Sequence, residues 1–244
     1  PLLHTLDALG IPHMLFVNKI DKATITVQAL LDALQPISNK PMVLRHIPVQ
    51  DGDDISGYID LASERAYHYQ PGQASEVVEL PGGEEDAFAE ARYGMLEALA
   101  DFDDDLMEKV LEDITPEKDE LYANLTKDFQ DGKIIPVLLG AAEQEGGLFR
   151  LLKALRHEVP SASAAAARNG TDSATGTVAQ VLKTYHTQHG GKLSIARVWA
   201  GEVKDGMTLN GQRVSGLFHM LGAEQKKISS ALPSLNFERL SWAS

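Results

Sequence analysis

Residues 16–22 read Phe16-Val17-Asn18-Lys19-Ile20-Asp21-Lys22, an apolar run that ends abruptly in polar side chains. The run begins at Ile11, directly after Gly10, and its short, mostly apolar character is typical of a buried strand in a parallel sheet. Ligands of open α/β sheets bind at the carboxyl ends of such strands. The stretch therefore predicts an α/β fold with a binding loop directly after the strand Ile11–Val17.

The polar residues of this loop have the chemistry to recognise guanine. The Asp21 carboxylate can accept hydrogen bonds from the ring N–H and the exocyclic amine of guanine, a donor pair that adenine lacks. Lys19 can lay its methylene stem over the base, and Asn18 can hold the loop through its side chain. Three fixed residues also arise by chance. The alternative is an ordinary loop in which Asp21 caps a helix beginning near Thr24.

A second strand followed by a loop favours the guanine interpretation. Ile134–Leu139 is another short apolar strand, and Gly140-Ala141-Ala142 follow it. Small residues let backbone N–H groups come close to the carbonyl oxygen of a bound base. The sequence therefore predicts one guanine-binding site made of Asn18, Lys19, Asp21, Gly140, Ala141 and Ala142.

The composition limits the kinds of protein to which the chain can belong. Its 244 residues, 43% of them hydrophobic, suffice for one large or two ordinary domains and contain no apolar run of membrane-spanning length. The absence of cysteine excludes disulfides and thiolate metal sites. The histidines are scattered and two aspartate clusters lack calcium-loop spacing, so we predict neither metal-binding nor catalytic residues. We expect a cytoplasmic protein without membrane contact.

The net charge of −13 is concentrated in one segment. Residues 84–131 carry 17 acidic and four basic side chains, whereas the rest of the chain carries 18 of each sign. An acidic surface repels nucleic-acid phosphates, so we expect no sequence-specific DNA binding. The segment favours either a basic protein partner or simply solubility.

The patterns around the two loops divide the chain into domains. Residues 1–160 form an α/β domain with an inserted α+β subdomain at about 42–132, made of short antiparallel strands and then acidic helices. Residues 161–176 are small and polar, as in a linker. Turn glycines at near-regular spacing in 177–231 predict a small β-barrel, and the tail 232–244 matches no pattern.

Three stretches resemble the translational GTPases, most closely elongation factor G and its paralogues. They are Val17-Asn18-Lys19-Ile20-Asp21, residues 136–160, and residues 191–206, which resemble a hairpin of the family's β-barrel second domain. The insertion is similar to the subdomain that elongation factor G carries between its guanine-contacting loops. The resemblance implies part of a P-loop-type nucleotide domain with an α+β insertion, followed by a partial all-β barrel domain.

The chain also departs from the family's pattern. The sequence contains no G-x-x-x-x-G-K-[ST] phosphate loop and no switch threonine loop. Asp7-Ala8-Leu9-Gly10 matches the family's Asp-x-x-Gly switch only as a string, because it lies at a helix end, and Ala141 stands where the family often has serine. The N-terminal half of the nucleotide domain is missing, so a fragment or a truncated product is expected. A parallel sheet of only two strands predicts exposed edges and self-association.

The resemblance implies part of a guanine-nucleotide-binding elongation factor that drives ribosomal translocation by GTP hydrolysis. This chain is expected to contact only the guanine end of GTP or GDP and not to hydrolyse GTP, with Mg²⁺ bound only in a full-length member. The barrel is expected to contact the small ribosomal subunit, and the acidic insertion a basic ribosomal or stalk protein. The open alternatives are a non-catalytic ribosome-binding fragment, a decayed paralogue, or a relative of release or ribosome-protection factors.

Overall fold

The structure is a computed structural model that describes residues 2–52, 54–187, 191–221, 224–233 and 239–243. The chain divides into two compact units, Pro1–Val159 and Pro160–Ser244. The architecture is mixed α/β with several small sheets. None of the helices in the described part of the chain has the length and apolar character needed to cross a membrane.

The first unit contains both helices and strands, with single 3-10 turns at Ile20–Lys22, Gln35–Ile37 and Ala142–Gln144. Their bounds in chain order are α1 Leu2–Ala8, β1 Leu15–Val17, α2 Val27–Leu34, β2 Met42–Leu44, β3 His46–Asp51, β4 Asp54–Asp60, β5 Arg65–His68, β6 Glu76–Val78, α3 Glu85–Ala100, α4 Asp104–Leu111, α5 Lys118–Gln130, β7 Ile135–Leu139 and α6 Leu148–His157.

A three-stranded parallel sheet lies at the centre of this unit. Its strand order is β1-β7-β2, with Phe16 opposite Leu138 and Val43 opposite Pro136. All five residues of β7 are buried, as expected of a central strand covered on both faces. Because β1 and β7 run in the same direction, the loops that follow them leave the sheet at the same edge.

The parallel sheet has a strand that we did not predict. We expected the sheet to have two strands, with an insertion that starts at about residue 42, and the expected number of strands is wrong. Met42–Leu44 pairs in parallel with β7, and all three of its residues are buried. The alternation of apolar and polar residues fails there because both faces of the strand are covered. The inserted part therefore begins after Leu44, and β7 is paired along both edges.

The strand before the first loop is shorter than predicted. We expected a strand over Ile11–Val17, but only Leu15–Val17 pairs with β7. Gly10 adopts a left-handed conformation at φ 63°, and the Ile11 N–H still donates to the carbonyl of Leu6 over 3.0 Å. Pro12 has no N–H to contribute to a sheet. The chain therefore completes the end of α1 before it joins the sheet.

The inserted part consists of an antiparallel sheet and three helices. The sheet has the order β3-β4-β5-β6, and α3, α4 and α5 follow it, in the segment where the sequence predicted helices. Asp103 accepts a hydrogen bond of 3.0 Å from the Leu106 N–H at the start of α4, so the aspartates at 101–105 mark a helix N-terminus. One core joins the insertion to the parallel sheet, and its fully buried members include Ile59, Leu61, Leu99, Leu106, Leu121, Leu125, Ile135 and Leu139.

The second unit consists of one short helix followed by β-strands. In chain order they are α7 Ala162–Arg168, β8 Val178–Thr187, β9 Gly191–Ala200, β10 Val203–Lys204, β11 Thr208–Leu209, β12 Gln212–Arg213, β13 Leu217–Leu221, β14 Glu224–Ile228, β15 Ser230–Ala231 and β16 Arg239–Ala243. Five of the strands form a sheet of order β14-β13-β16-β9-β8, and the pairs β10-β15 and β11-β12 form two small sheets. Among the described residues no closed barrel is formed.

Two parts of the second unit differ from the expectation. The predicted linker 161–176 contains α7, whose N-cap Ser161 accepts a hydrogen bond from the Ala164 N–H. The unmatched tail 232–244 contributes β16, which pairs with β9 and β13. The predicted turns with glycine at 201, 206 and 211 have positive φ at those residues, whereas residue 190 of another predicted turn lies outside the described residues.

Candidate functional site

The loops that follow β1 and β7 lie side by side and are joined by several contacts. The Ile20 N–H donates to the carbonyl of Gly140 over 3.2 Å. Side chains add the pairs Asn18 with Ala142, Asp21 with Gln144, and Lys22 with Glu143. The residues that the sequence predicted for one site are therefore brought together at the carboxyl edge of the parallel sheet.

Asn18 links the two loops directly. Its Oδ1 accepts a hydrogen bond of 2.9 Å from the backbone N–H of Ala142. This bond has the side-chain-to-backbone character predicted for Asn18. It also uses the N–H through which we expected Ala142 to recognise the base carbonyl. Binding of guanine therefore requires this N–H to be shared with the base or to turn away from Asn18.

The other two amides of the second loop have partners within the fold. The Gly140 N–H donates to the carbonyl of Val17 over 2.9 Å, which continues the pairing of β7 with β1. The Ala141 N–H donates to the carbonyl of Gly146 over 3.0 Å, and the Gly146 N–H returns a bond of the same length. These two amides hold the shape of the loop, and the Ala142 amide is the one placed between the loops.

Asp21 lies half-buried in the 3-10 turn after β1. Its Oδ2 accepts a hydrogen bond of 3.2 Å from the side-chain amide of Gln144, which is exposed. A hydrogen bond to a neutral, exposed amide contributes little net free energy. The two N–H groups of guanine offer the carboxylate a stronger, two-pronged partner. The acceptor that the base requires is therefore present and can exchange Gln144 for it.

Lys19 holds the first loop in an unusual backbone conformation. Its φ of 63° and ψ of 35° lie in the left-handed region, which costs a residue with a Cβ atom about 1 kcal/mol. Such conformations persist where the surrounding structure fixes them, often at binding sites. At Lys19 the fixing contacts are those of the neighbouring residues Asn18 and Ile20 to the second loop.

Two glycines give the second loop its shape, and one of them lies against β1. A Cβ atom on Gly140 would lie 2.4 Å from the ring of Phe16 and 2.7 Å from the carbonyl oxygen of Gly146. Gly147 has a φ of 80°, and a Cβ atom there would lie 2.5 Å from the carbonyl oxygen of Leu139. A larger residue at Gly140 would force the second loop away from β1, whereas one at Gly147 would distort the second loop itself where it leaves β7.

A buried histidine, to which we assigned no role from the sequence, fixes the end of β7. His46 Nε2 lies 3.0 Å from the carbonyl oxygen and 3.2 Å from the amide nitrogen of Leu139, the last residue of the strand. Burial, together with the charge of Arg150, lowers the pKa of His46 to about 3. The ring is therefore neutral at physiological pH and bonds to Leu139 according to its tautomer.

Buried charges anchor the helix that follows the second loop. Arg150 Nη2 lies 3.1 Å from Asp60 Oδ2, and Arg45 donates to both oxygens of Glu158. Burial opposes ionisation of Asp60, but the charges of Arg150 and Arg45 and hydrogen bonds to the carboxylate outweigh it, so the pKa of Asp60 is lowered. Tyr122 also donates to Asp60 over 2.8 Å. This network ties α6, and with it the exit of the second loop, to β4 and α5.

The structure rejects the alternative role of Asp21 and adds residues that we did not predict. The N-cap of α2 is Thr26, whose side chain accepts from the Ala29 N–H, so Asp21 does not cap that helix. Gln144 and the ion pair of Lys22 with Glu143, 3.0 Å apart, also bridge the loops. The Glu143 carboxylate raises the pKa of Lys22. These exposed polar side chains follow no periodic pattern from which a role could be predicted.

Comparison with known proteins identifies the relatives of the chain. The elongation factor G-like protein of Synechocystis sp. (strain ATCC 27184 / PCC 6803 / Kazusa) is 42% identical to it over 233 residues, which are 95% of this chain and 35% of that protein. The predicted resemblance to elongation factor G-like proteins is confirmed. A crystal structure of a protein from Thermus thermophilus matches 99% of the chain with a TM-score of 0.74 and 25% identity.

The chain corresponds to part of these relatives. It spans 35% of the length of the Synechocystis protein and 37% of the Thermus chain. No family model matches the sequence. The structural match to the Thermus protein covers 99% of this chain and thus both units, so the two proteins share the mixed α/β architecture.

Proposed function

We propose that this chain is part of a guanine-nucleotide-binding translation elongation factor of the elongation factor G-like type, which drives ribosomal translocation by GTP hydrolysis. The observation that carries the proposal is the junction of the two loops, with Asn18 Oδ1 2.9 Å from the Ala142 amide nitrogen. In this proposal the loop residues Asn18, Lys19 and Asp21 hold guanine together with Gly140, Ala141 and Ala142. Their carboxylate and amide groups match the donors and the carbonyl of the base.

In domain terms, the first unit is the part of a P-loop-type nucleotide domain that recognises the base. Its insertion runs from after Leu44 to about residue 132, and the second unit supplies strands of a partial β-barrel. The arrangement of the two loops at one edge of the parallel sheet and the similarity to elongation factor G-like proteins support this assignment.

The chain by itself is proposed to recognise the base without hydrolysing GTP. Hydrolysis requires a cradle for the phosphates, Mg²⁺ and a positioned water, and the printed sequence contains no G-x-x-x-x-G-K-[ST] motif. Two or three hydrogen bonds to the base contribute about 1–3 kcal/mol each, and most of this free energy is cancelled by the cost of association. We therefore expect binding of GTP weaker than micromolar, with Mg²⁺ bound only in a longer protein.

The same proposal assigns partners. The second unit would contact the small ribosomal subunit, and the acidic helices of residues 84–131 would face a basic ribosomal or stalk protein in the cytoplasm. The second candidate is a non-catalytic ribosome-binding fragment or a decayed paralogue. A relative of the release or ribosome-protection factors would bind guanine through the same two loops.

Removal of one carboxylate tests the proposal. In a longer version of the protein that includes the phosphate loop, Asp21→Ala is expected to weaken GDP binding by at least tenfold and to abolish the preference for GDP over ADP, because charge-assisted bonds contribute about 1.5–3 kcal/mol each. Asp32→Ala, which removes an exposed carboxylate on α2, is the matched control. Unchanged GDP affinity in the Asp21 variant would show that Asp21 does not bind the base.

A second experiment tests the non-catalytic assignment. GTP turnover by the 244-residue chain, in a preparation free of host GTPases, would contradict that assignment.

A further inference from the structure

The first unit has a cavity of about 340 Å³ whose walls come from β5, α5 and α6. Each element contributes residues at the spacing of one face: every second residue on the strand, and every third or fourth on the helices. These residues are Arg65 and Tyr67 on β5, Lys118, Tyr122 and Thr126 on α5, and Arg150, Lys153 and His157 on α6. The cavity is therefore built by three packed elements and is not a gap beside one loop.

The walls of this cavity are basic in a chain that is strongly acidic. Arg65, Lys153 and His157 form no ion pair within the part of the chain that the structure describes. Lys118 lies 4.0 Å from one exposed carboxylate, that of Asp119. Glu158 also lines the cavity, but its carboxylate is paired with buried arginines. The cavity thus presents a local excess of positive charge, although the net charge of the chain is −13.

One residue of the cavity wall carries a buried donor without an acceptor. The Arg150 side chain is only 5% exposed, and its Nε has no hydrogen-bond partner among the described residues. A buried N–H without an acceptor is costly, so such groups normally meet a bound molecule or an ordered water. Arg150 lines the cavity together with Arg65 and Lys153, so the unsatisfied donor belongs to a residue of the cavity wall.

We propose that this cavity binds a small phosphorylated molecule. Phosphate oxygens accept the charge-assisted hydrogen bonds that Arg65 and Lys153 can donate. The rings of Tyr67 and Tyr122 and the hydroxyl of Thr126 provide walls for the remainder of the ligand. The volume lies at the lower end of the range for small-molecule sites, about 300–1,000 Å³. The site does not share residues with the two guanine loops and does not depend on the proposed function.

A small ligand fits this surface better than a nucleic-acid backbone does. The basic side chains converge on one cavity, whereas the segment that supplies α3, α4 and α5 carries 17 acidic and four basic residues. An extended polyanion that reached the cavity would also meet the acidic side chains around it, among them Asp119 and Glu120 at the start of α5. A phosphorylated molecule of metabolite size occupies the cavity alone.

Calorimetric titration of the 244-residue chain with inorganic pyrophosphate tests the proposal. We expect saturable binding with a Kd of about 1 mM or below, weakened by added NaCl. Arg65→Ala and Lys153→Ala are each expected to weaken binding about tenfold, equivalent to about 1.4 kcal/mol. Both side chains are exposed, so thermal unfolding should remain unchanged. Lys127→Ala is the matched control, because it removes an exposed cation of α5 that does not line the cavity.

Three results would overturn the proposal. The first is the absence of saturable pyrophosphate binding, and the second is an equal loss of binding in Lys127→Ala and in the two cavity variants. The third is tighter, charge-dependent binding of an RNA decamer that pyrophosphate does not displace, which would make the patch a nucleic-acid surface. Lys19→Ala separates this site from the guanine loops: loss of pyrophosphate binding in that variant alone would place the anion there and contradict the proposal.

Discussion

The two units of the chain differ in how their sheets are covered. In the first unit β7 is buried at all five positions and belongs to a core that extends through the insertion. In the second unit β9 is buried only at every second residue in its middle, at 194, 196 and 198, and the apolar cluster among the described residues consists of Val198, Val203, Val214, Leu217 and Ala231. A sheet covered on both faces fixes the loops at its edge, whereas a sheet covered on one face depends more on strand pairing.

The largest expected effect comes from the buried charges of the first unit. Arg45→Ala leaves the Glu158 carboxylate buried without its main partner, and we expect the free energy of unfolding of this unit to fall by about 3–5 kcal/mol. Both tryptophans, Trp199 and Trp242, lie in the second unit, so circular dichroism follows the helices of the first unit while tryptophan fluorescence follows the second.

A double variant controls for the loss of side-chain volume at this pair. Arg45→Met combined with Glu158→Leu removes both charges and should recover most of the stability, because no unpaired charge remains. A melting curve of Arg45→Ala that coincides with that of the parent chain would show that the buried pair does not stabilise the first unit.

Matched cavities in the two units compare their cores directly. Leu125 and Leu217 are both fully buried, the first in the large core and the second in the small cluster. We expect Leu125→Ala to cost about 3–4 kcal/mol and Leu217→Ala about 2–3 kcal/mol, since a smaller core collapses more easily around the lost volume. Denaturant unfolding measures the difference, followed by circular dichroism for Leu125→Ala and by tryptophan fluorescence for Leu217→Ala. Equal losses would mean that the cores are equally rigid.

The stability of the first unit is expected to depend on pH through His46. Its pKa is about 3 in the folded chain and about 6.5 when unfolded, so below pH 6.5 the unfolded state binds a proton that the folded state does not. Above pH 6.5 the protonation of His46 does not lower the free energy of unfolding. Below pH 6.5 that free energy falls by up to about 1.4 kcal/mol per pH unit.

His46 and the buried carboxylate of Asp60 change the stability over different ranges of pH. The lowered pKa of Asp60 removes stability only below the unfolded value near pH 4, so unfolding measured from about pH 6.5 to about pH 4.5 isolates the histidine. His46→Gln should flatten the dependence in this range. An unchanged slope in that variant would contradict the assignment.

Helix caps should give the smallest difference between the units. Thr26 caps α2 in the first unit and Ser161 caps α7 in the second, each through one hydrogen bond to a backbone N–H three residues later. Substitution of either by alanine is expected to cost about 1 kcal/mol or less. Thermal unfolding should show a loss for Thr26→Ala and a smaller one for Ser161→Ala, because α2 packs four partly buried apolar residues on the core, Val27, Leu30, Leu31 and Leu34, whereas α7 contributes only Ala166. A larger effect at Ser161 would show that α7 is essential to its unit.

The sequence carried enough information to locate the two loops. Continuous apolar runs mark strands that are buried on both faces, and the polar or small residues after them mark the edge where ligands bind. This is why the positions of Asn18, Asp21 and Gly140–Ala142 were predicted, and why their juxtaposition in the structure follows from two parallel strands.

Other features were not predicted, some because the sequence holds no signal for them and one although the signal was present. Met42–Leu44 is too short an apolar run to reveal its partner strand, which lies far along the chain at Ile135–Leu139. The partners of the loop residues, such as Gln144, are exposed polar side chains, whose positions follow no period. The helix α7 was missed although its signals were present, since alanine favours helix and Ser161 is a strong N-cap.

The most direct test of the account is whether the two loops recognise guanine. Nuclear magnetic resonance of the ¹⁵N-labelled chain detects weak binding residue by residue. We predict that GDP at millimolar concentration shifts the amide signals of Lys19, Asp21 and Ala142, that ADP does not, and that Asp21→Ala abolishes the shifts. Equal shifts with GDP and ADP, or GDP-specific shifts confined to other residues, would contradict the assignment of the loops as a guanine site.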